Sequence, residues 1–124
     1  MEKKRVRGVV FISDGNPDTR NNAYEPGCLK MENKTIKVPL TRDFQKPVGE
    51  AIIEHDPIDP NIHIATAMVD ESDLDLTWAI GGKLLRSHTD HGIRCVDEIE
   101  LREVSLCAAN VDKRIAPLHR LVRK

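Results

Sequence analysis

Aromatic residues are scarce in this chain: Phe11, Tyr24, Phe44 and Trp78 make up 3% of its 124 residues. A core must therefore be assembled mainly from Val, Ile, Leu and Ala, and Trp78 is expected inside it rather than at an interface. Long apolar runs are missing too. The longest unbroken one, Val9 to Ile12, is far too short to cross a bilayer. Met1-Glu2-Lys3-Lys4-Arg5 is not followed by the apolar stretch of a secretory signal, so no membrane partner is expected. No sign of charge dominates. A net charge of −1 lacks the basic surplus that displaces counterions from nucleic acid, and Lys3-Lys4-Arg5 and Arg120 to Lys124 read as solvated ends. Cys28, Cys95 and Cys107 form no CxxC pair and leave an odd count, which fits three reduced thiols in a cytoplasmic protein. With no repeat, linker or low-complexity segment, residues 1–124 read as one domain around one core.

What is present is a series of short β-type runs divided by turn formers. Val6 to Ser13 is rich in β-branched residues and stops at Asp14-Gly15-Asn16-Pro17. Ile36, Val38 and Leu40 alternate with polar partners, and Val48 to Glu54 forms the next run. Pro57 and Pro60 then mark a connecting loop. Ile62 to Val69 follows, and Leu74, Leu76, Trp78 and Ile80 alternate until Gly81-Gly82, where the strand is expected to end. Ser87 to Gly92 reads as a hydrophilic hairpin tip. In Ile93 to Cys107 the phase changes: Ile99 and Leu101 share one parity, Val104 and Leu106 the other. One extra residue near Arg102-Glu103 restores both sets to the core, as a β-bulge does. Ile115, Leu118, Leu121 and Val122 have helical spacing, with Pro117 tolerable in a first turn. The expected fold is mostly β: a small closed or nearly closed β-barrel of about six strands with a short C-terminal helix.

Three blocks in order resemble the prohead protease family of tailed phages, whose fold is similar to that of herpesvirus assemblins. They are Tyr24-Glu25-Pro26-Gly27-Cys28-Leu29, then Val38 to Gly49 with Pro47-Val48-Gly49, then Trp78-Ala79-Ile80-Gly81-Gly82 followed by Glu98 to Asn110 with Glu103-Val104-Ser105-Leu106. The resemblance implies a serine peptidase fold, with the family's catalytic His falling at Arg42, its Ser at Ala79 and its third catalytic position at Glu103. Arginine cannot accept a proton near neutral pH, and alanine has nothing to donate. The family's helix before the Ser block also has no room between Val69 and Trp78. The resemblance thus implies an inactive relative, a phage or prophage head protein that acts structurally by binding coat protein or other head components, or by forming a homo-oligomer. Its setting is the cytoplasm of a bacterial host during assembly, or the virion.

Two other classes stay open. An active, divergent maturation peptidase would use relocated groups, drawn from Ser13, Thr41, Ser87 or Ser105 and from His55, His63, His88, His91 or His119. A small metal- or ligand-binding barrel would use one of two patterns. Asp14, Asn16, Asp18 and Glu25 match positions 1, 3, 5 and 12 of a calcium loop, though Thr19 stands at the glycine position. His88, His91 and Cys95 offer three zinc ligands without a fourth. Both are more simply polar turns, and no cofactor is expected.

Overall fold

Alternation of apolar and polar residues places one face of a strand in the core and the other in water. The computed structural model describes residues 2–31 and 33–122, and these form eight strands: β1 (Lys3–Ile12), β2 (Asn22–Tyr24), β3 (Leu29–Lys30), β4 (Thr35–Arg42), β5 (Lys46–His55), β6 (Ile62–Asp70), β7 (Thr77–Asp90) and β8 (Ile93–Cys107). Lys3, Arg5 and Arg120 are exposed as expected of solvated ends, while Met1, Arg123 and Lys124 lie outside the described residues. The six expected strands are all present. β2 and β3 are additions too short to show a period.

One antiparallel path runs β1-β6-β5-β4, and β4 then joins β8 in parallel. β8 organises the rest. β7 covers one edge of β8, while β2, β3 and β4 lie in succession along the other. Val6, Leu40, Ala51, Ile53, Ala65, Val69, Trp78, Val104 and Leu106 are sealed inside this curl, which makes an aliphatic core around one indole.

The bulge in β8 stands where the parity change put it. Gly81 pairs with Glu103 and Gly82 with Leu101, leaving Arg102 as the extra residue. Leu101, Val104 and Leu106 are consequently all buried. The two glycines do not end β7, contrary to expectation. A Cβ on Gly82 would lie 2.4 Å from the Glu100 carbonyl oxygen, and one on Gly81 would lie 2.6 Å from Glu103 Cγ. They permit the close crossing at the bulge, and β7 continues to Asp90. The hairpin tip is correspondingly tighter than expected, a two-residue turn at His91 (φ 51) and Gly92 (φ 80).

The barrel is not closed. β1 and β7 do not pair, and the sheet is a curled half-barrel with a seam between them. Among the described residues the expected C-terminal helix is also absent: a 3-10 turn, Leu118–Arg120, stands in its place. Both differences have one cause. Backbone N–H groups of Leu118 and His119 donate to the carbonyls of Leu76 and Leu74, and Arg7 N–H donates to the Leu121 carbonyl. The tail thus takes edge positions that a helix or a closing strand would need. Leu121 lies over Gly8, where a Cβ would stand 2.5 Å from its Cδ2. Trp78 adds a side-chain clasp across the seam, its indole N–H donating to the Val9 carbonyl at 3.1 Å.

Candidate functional site

β4 and β7 flank β8, so residues of all three strands form rows across the sheet. Thr41 and Ala79 both pair with Ser105; Arg42 and Trp78 both pair with Leu106. Neighbouring rows project to opposite faces. Arg42 and Ala79 are therefore not side by side: they are one row and two strands apart, on opposite faces of the sheet.

Each has its own surroundings. Arg42 turns to the end of the core, where its guanidinium is ion-paired with the buried carboxylate of Asp73 in the 3-10 turn between β6 and β7. That turn is the element between β6 and β7. Ala79 shares its face with a small polar cluster. Thr41 Oγ1 donates to Glu103 Oε1 at 2.5 Å, and Ser105 Oγ accepts the Phe44 N–H at 2.8 Å. Glu103, drawn from the family pattern, thus lies two rows from Ala79 on the same face and spans Gly81. Ser105 is fully buried and Thr41 nearly so, so neither hydroxyl is placed to attack a substrate. The turn above them is strained: Asp43 (φ 54) and Phe44 (φ 59) are both left-handed without being glycine.

A cavity of about 260 Å³ opens beside Ala79 at the seam. Phe11, Ile80, Cys107 and Ile115 give it apolar walls, and Asn16, Arg20 and Asp112 stand among its lining residues. Asn110 fixes one wall by donating from Nδ2 to the Trp78 carbonyl at 2.8 Å and accepting Asp112 N–H at its Oδ1. No family model, no curated protein and no solved structure matches the chain.

The remaining candidate residues are dispersed. Among the described residues, no group of three or more His, Cys, Asp or Glu is arranged to hold a metal ion. Asp14 is held by Arg114 at 2.5 Å and by the backbone and side-chain amides of Asn16, and the guanidinium beside it keeps its carboxyl below the usual range. Asp18 Oδ1 accepts the N–H groups of Arg20 and Asn22, and Glu25 donates its backbone N–H to Val96. The residues resembling a calcium loop are a stapled polar turn. His88 pairs with Asp97 at 2.7 Å, and His91 with Asp90 at 2.5 Å. Cys95 lies directly across from His88 on β8 but is buried. All three cysteines are free and buried, and burial pushes Cys28 up to about 11, so its thiolate is scarce near neutral pH.

Of the other candidate groups, Ser13 donates its hydroxyl to the Asn61 carbonyl. Ser87 is exposed on β7. His55 and His63 face each other across β5 and β6 with ring centroids 4.7 Å apart, and His63 also meets Phe11. Sequence reasoning offered no signal for the seam cavity, because its walls come from segments distant along the chain.

Proposed function

We propose that this protein is a catalytically inactive relative of the prohead proteases, acting structurally in phage or prophage head assembly by binding coat protein or other copies of itself. It would act in the bacterial cytoplasm during assembly and, if retained, in the virion. The reading rests on the three ordered sequence blocks. What supports its inactive half is that Arg42 is committed to Asp73 and Ala79 carries no nucleophile; their placement on opposite faces departs from the side-by-side arrangement that a shared ancestry implies. A nucleophile and its base must lie within hydrogen-bonding reach of one another. The seam cavity beside Ala79 is where such a protein would keep a binding function after losing chemistry, receiving an apolar side chain of a head component.

The test is co-expression with a tailed-phage coat protein, taken from the gene's own neighbourhood where one is encoded there. The expected result is co-purification without cleavage and no covalent labelling by a serine-directed fluorophosphonate. Site-specific cleavage of the coat protein, or stoichiometric labelling, would overturn the reading in favour of a peptidase. A cavity-filling Ala79→Trp change is expected to abolish co-purification while the protein remains folded.

A further inference from the structure

Among the described residues, β7 has a hydrogen-bonded neighbour on one side only. From Lys83 to Asp90 every residue of it is exposed, including Leu84 at 41% and Leu85 at 44%. Such an edge presents a row of unpaired donors and acceptors that a further strand can join. The hairpin turn determines which groups face outward. Asp90 and Ile93 close a two-residue turn, and the closing pair of such a hairpin exchanges both hydrogen bonds. Asp90 and His88 therefore spend their backbone groups on β8, while Thr89 and Ser87 turn theirs to the free edge.

Two copies meeting edge to edge about a two-fold axis must run antiparallel, with outward residues facing outward residues. The axis then passes at Ser87, His88 or Thr89. At Ser87 it sets Arg86 against His88 and Leu84 against Asp90. At Thr89 it joins little more than the turn. At His88 it pairs Ser87 with Thr89 twice and Arg86 with Asp90 twice, so each charge meets its opposite. Leu85 then passes beside His91 of the other copy. Leu85 is a bulged residue between the Leu84 and Arg86 pairs, and the shift between the Arg86 and Ser87 pairs places its extra residue, Asp97, on β8, so toward the turn β7 itself runs without an extra residue only from Arg86 to Asp90.

We propose that two copies of this chain join through the free edge of β7, antiparallel about a two-fold axis at His88, with Arg86 of each opposite Asp90 of the other. This rests on the self-association branch of the function proposed above and names its surface. Five residues a side make a weak interface, of the transient class, suited to reinforcement when many copies are arrayed.

The sharpest test is a single cysteine on the axis. His88→Cys in a Cys95→Ala background, which removes the thiol directly across on β8, is expected to form a disulfide-linked dimer under mild oxidation. Cys28 and Cys107 are buried and stay out of the reaction. Leu84→Cys in the same background should cross-link far more slowly. By sedimentation, Arg86→Asp or Asp90→Arg alone should weaken dimerisation roughly tenfold or more, and the double reversal should restore it. Thr89→Pro, which deletes an outward N–H without touching the β8 ladder, should leave a folded monomer. The proposal is overturned if His88→Cys stays monomeric while Leu84→Cys cross-links, or if the double reversal dimerises no better than either single change. None of these readings involves coat protein or proteolysis, so a negative result here leaves the inactive-relative reading to its own test.

Discussion

Arg42 and His63 show how a single side chain is read differently once its neighbours are known. Arg42 looked like a replaced catalytic base; in the fold it neutralises Asp73, which is otherwise a buried carboxylate. Removing it with Arg42→Ala strands that charge and is expected to cost about 2–3 kcal/mol in urea unfolding. Restoring the family residues with Arg42→His and Ala79→Ser together is expected to give no fluorophosphonate labelling, because the two side chains project from opposite faces. Labelling of that double variant would show that the rows are misassigned. His63 is 2% exposed, its Nδ1 has no hydrogen-bond partner among the described residues, and burial together with nearby His55 holds its pKa down to about 4. The unfolded chain takes up this proton below about 6.5, while the folded chain resists it to about 4. Stability from this group is thus present above pH 6.5 and lost as pH falls toward 4, by about 3 kcal/mol in all. Urea midpoints measured between pH 7 and pH 4.5 should fall more steeply for the wild type than for His63→Phe.

At the scale of elements, the hairpin β7–β8 depends on close backbone approach and the β4–β5 turn on tolerated strain. Gly82→Ala drives a Cβ to 2.4 Å from the Glu100 carbonyl oxygen, a contact with backbone that cannot swing away. The expected loss is about 2–3 kcal/mol, with the β8 bulge disturbed; an unchanged melting temperature would show that the crossing can relax. Phe44→Gly should have the opposite sign. Phe44 is 48% exposed at φ 59, so relief of a left-handed non-glycine residue outweighs the small apolar burial lost, and stability should rise by up to about 1 kcal/mol. The strands themselves were legible from their period-2 patterns, and the Arg102 bulge from the parity change between Leu101 and Val104. β2 and β3 were not legible. Two or three residues carry no period, and their pairing is dictated by β8 lying alongside.

For the molecule as a whole, the seam is what separates a half-barrel from a barrel. Leu118 is fully buried beneath the tail that occupies it. Leu118→Ala is expected to cost about 2–5 kcal/mol and to make the tail the first site of limited proteolysis, because it removes the tail's fully buried anchor. If Leu118→Ala unfolds no more readily than the wild type, the tail is an appendage rather than part of the core.

The amino-acid order alone determined the strand-rich class, the aliphatic core around Trp78, the reduced thiols and the bulge in β8. Each of these follows from local periodicity, composition or side-chain chemistry, which need no knowledge of distant neighbours. Only the tertiary structure decided the open seam, the tail in place of a helix, the passage of β7 through Gly81-Gly82, and the separation of Arg42 from Ala79. Those depend on which edge captures which backbone groups and on which face a row presents. A residue's position along the chain sets its strand; the strands packed against it set what it can touch.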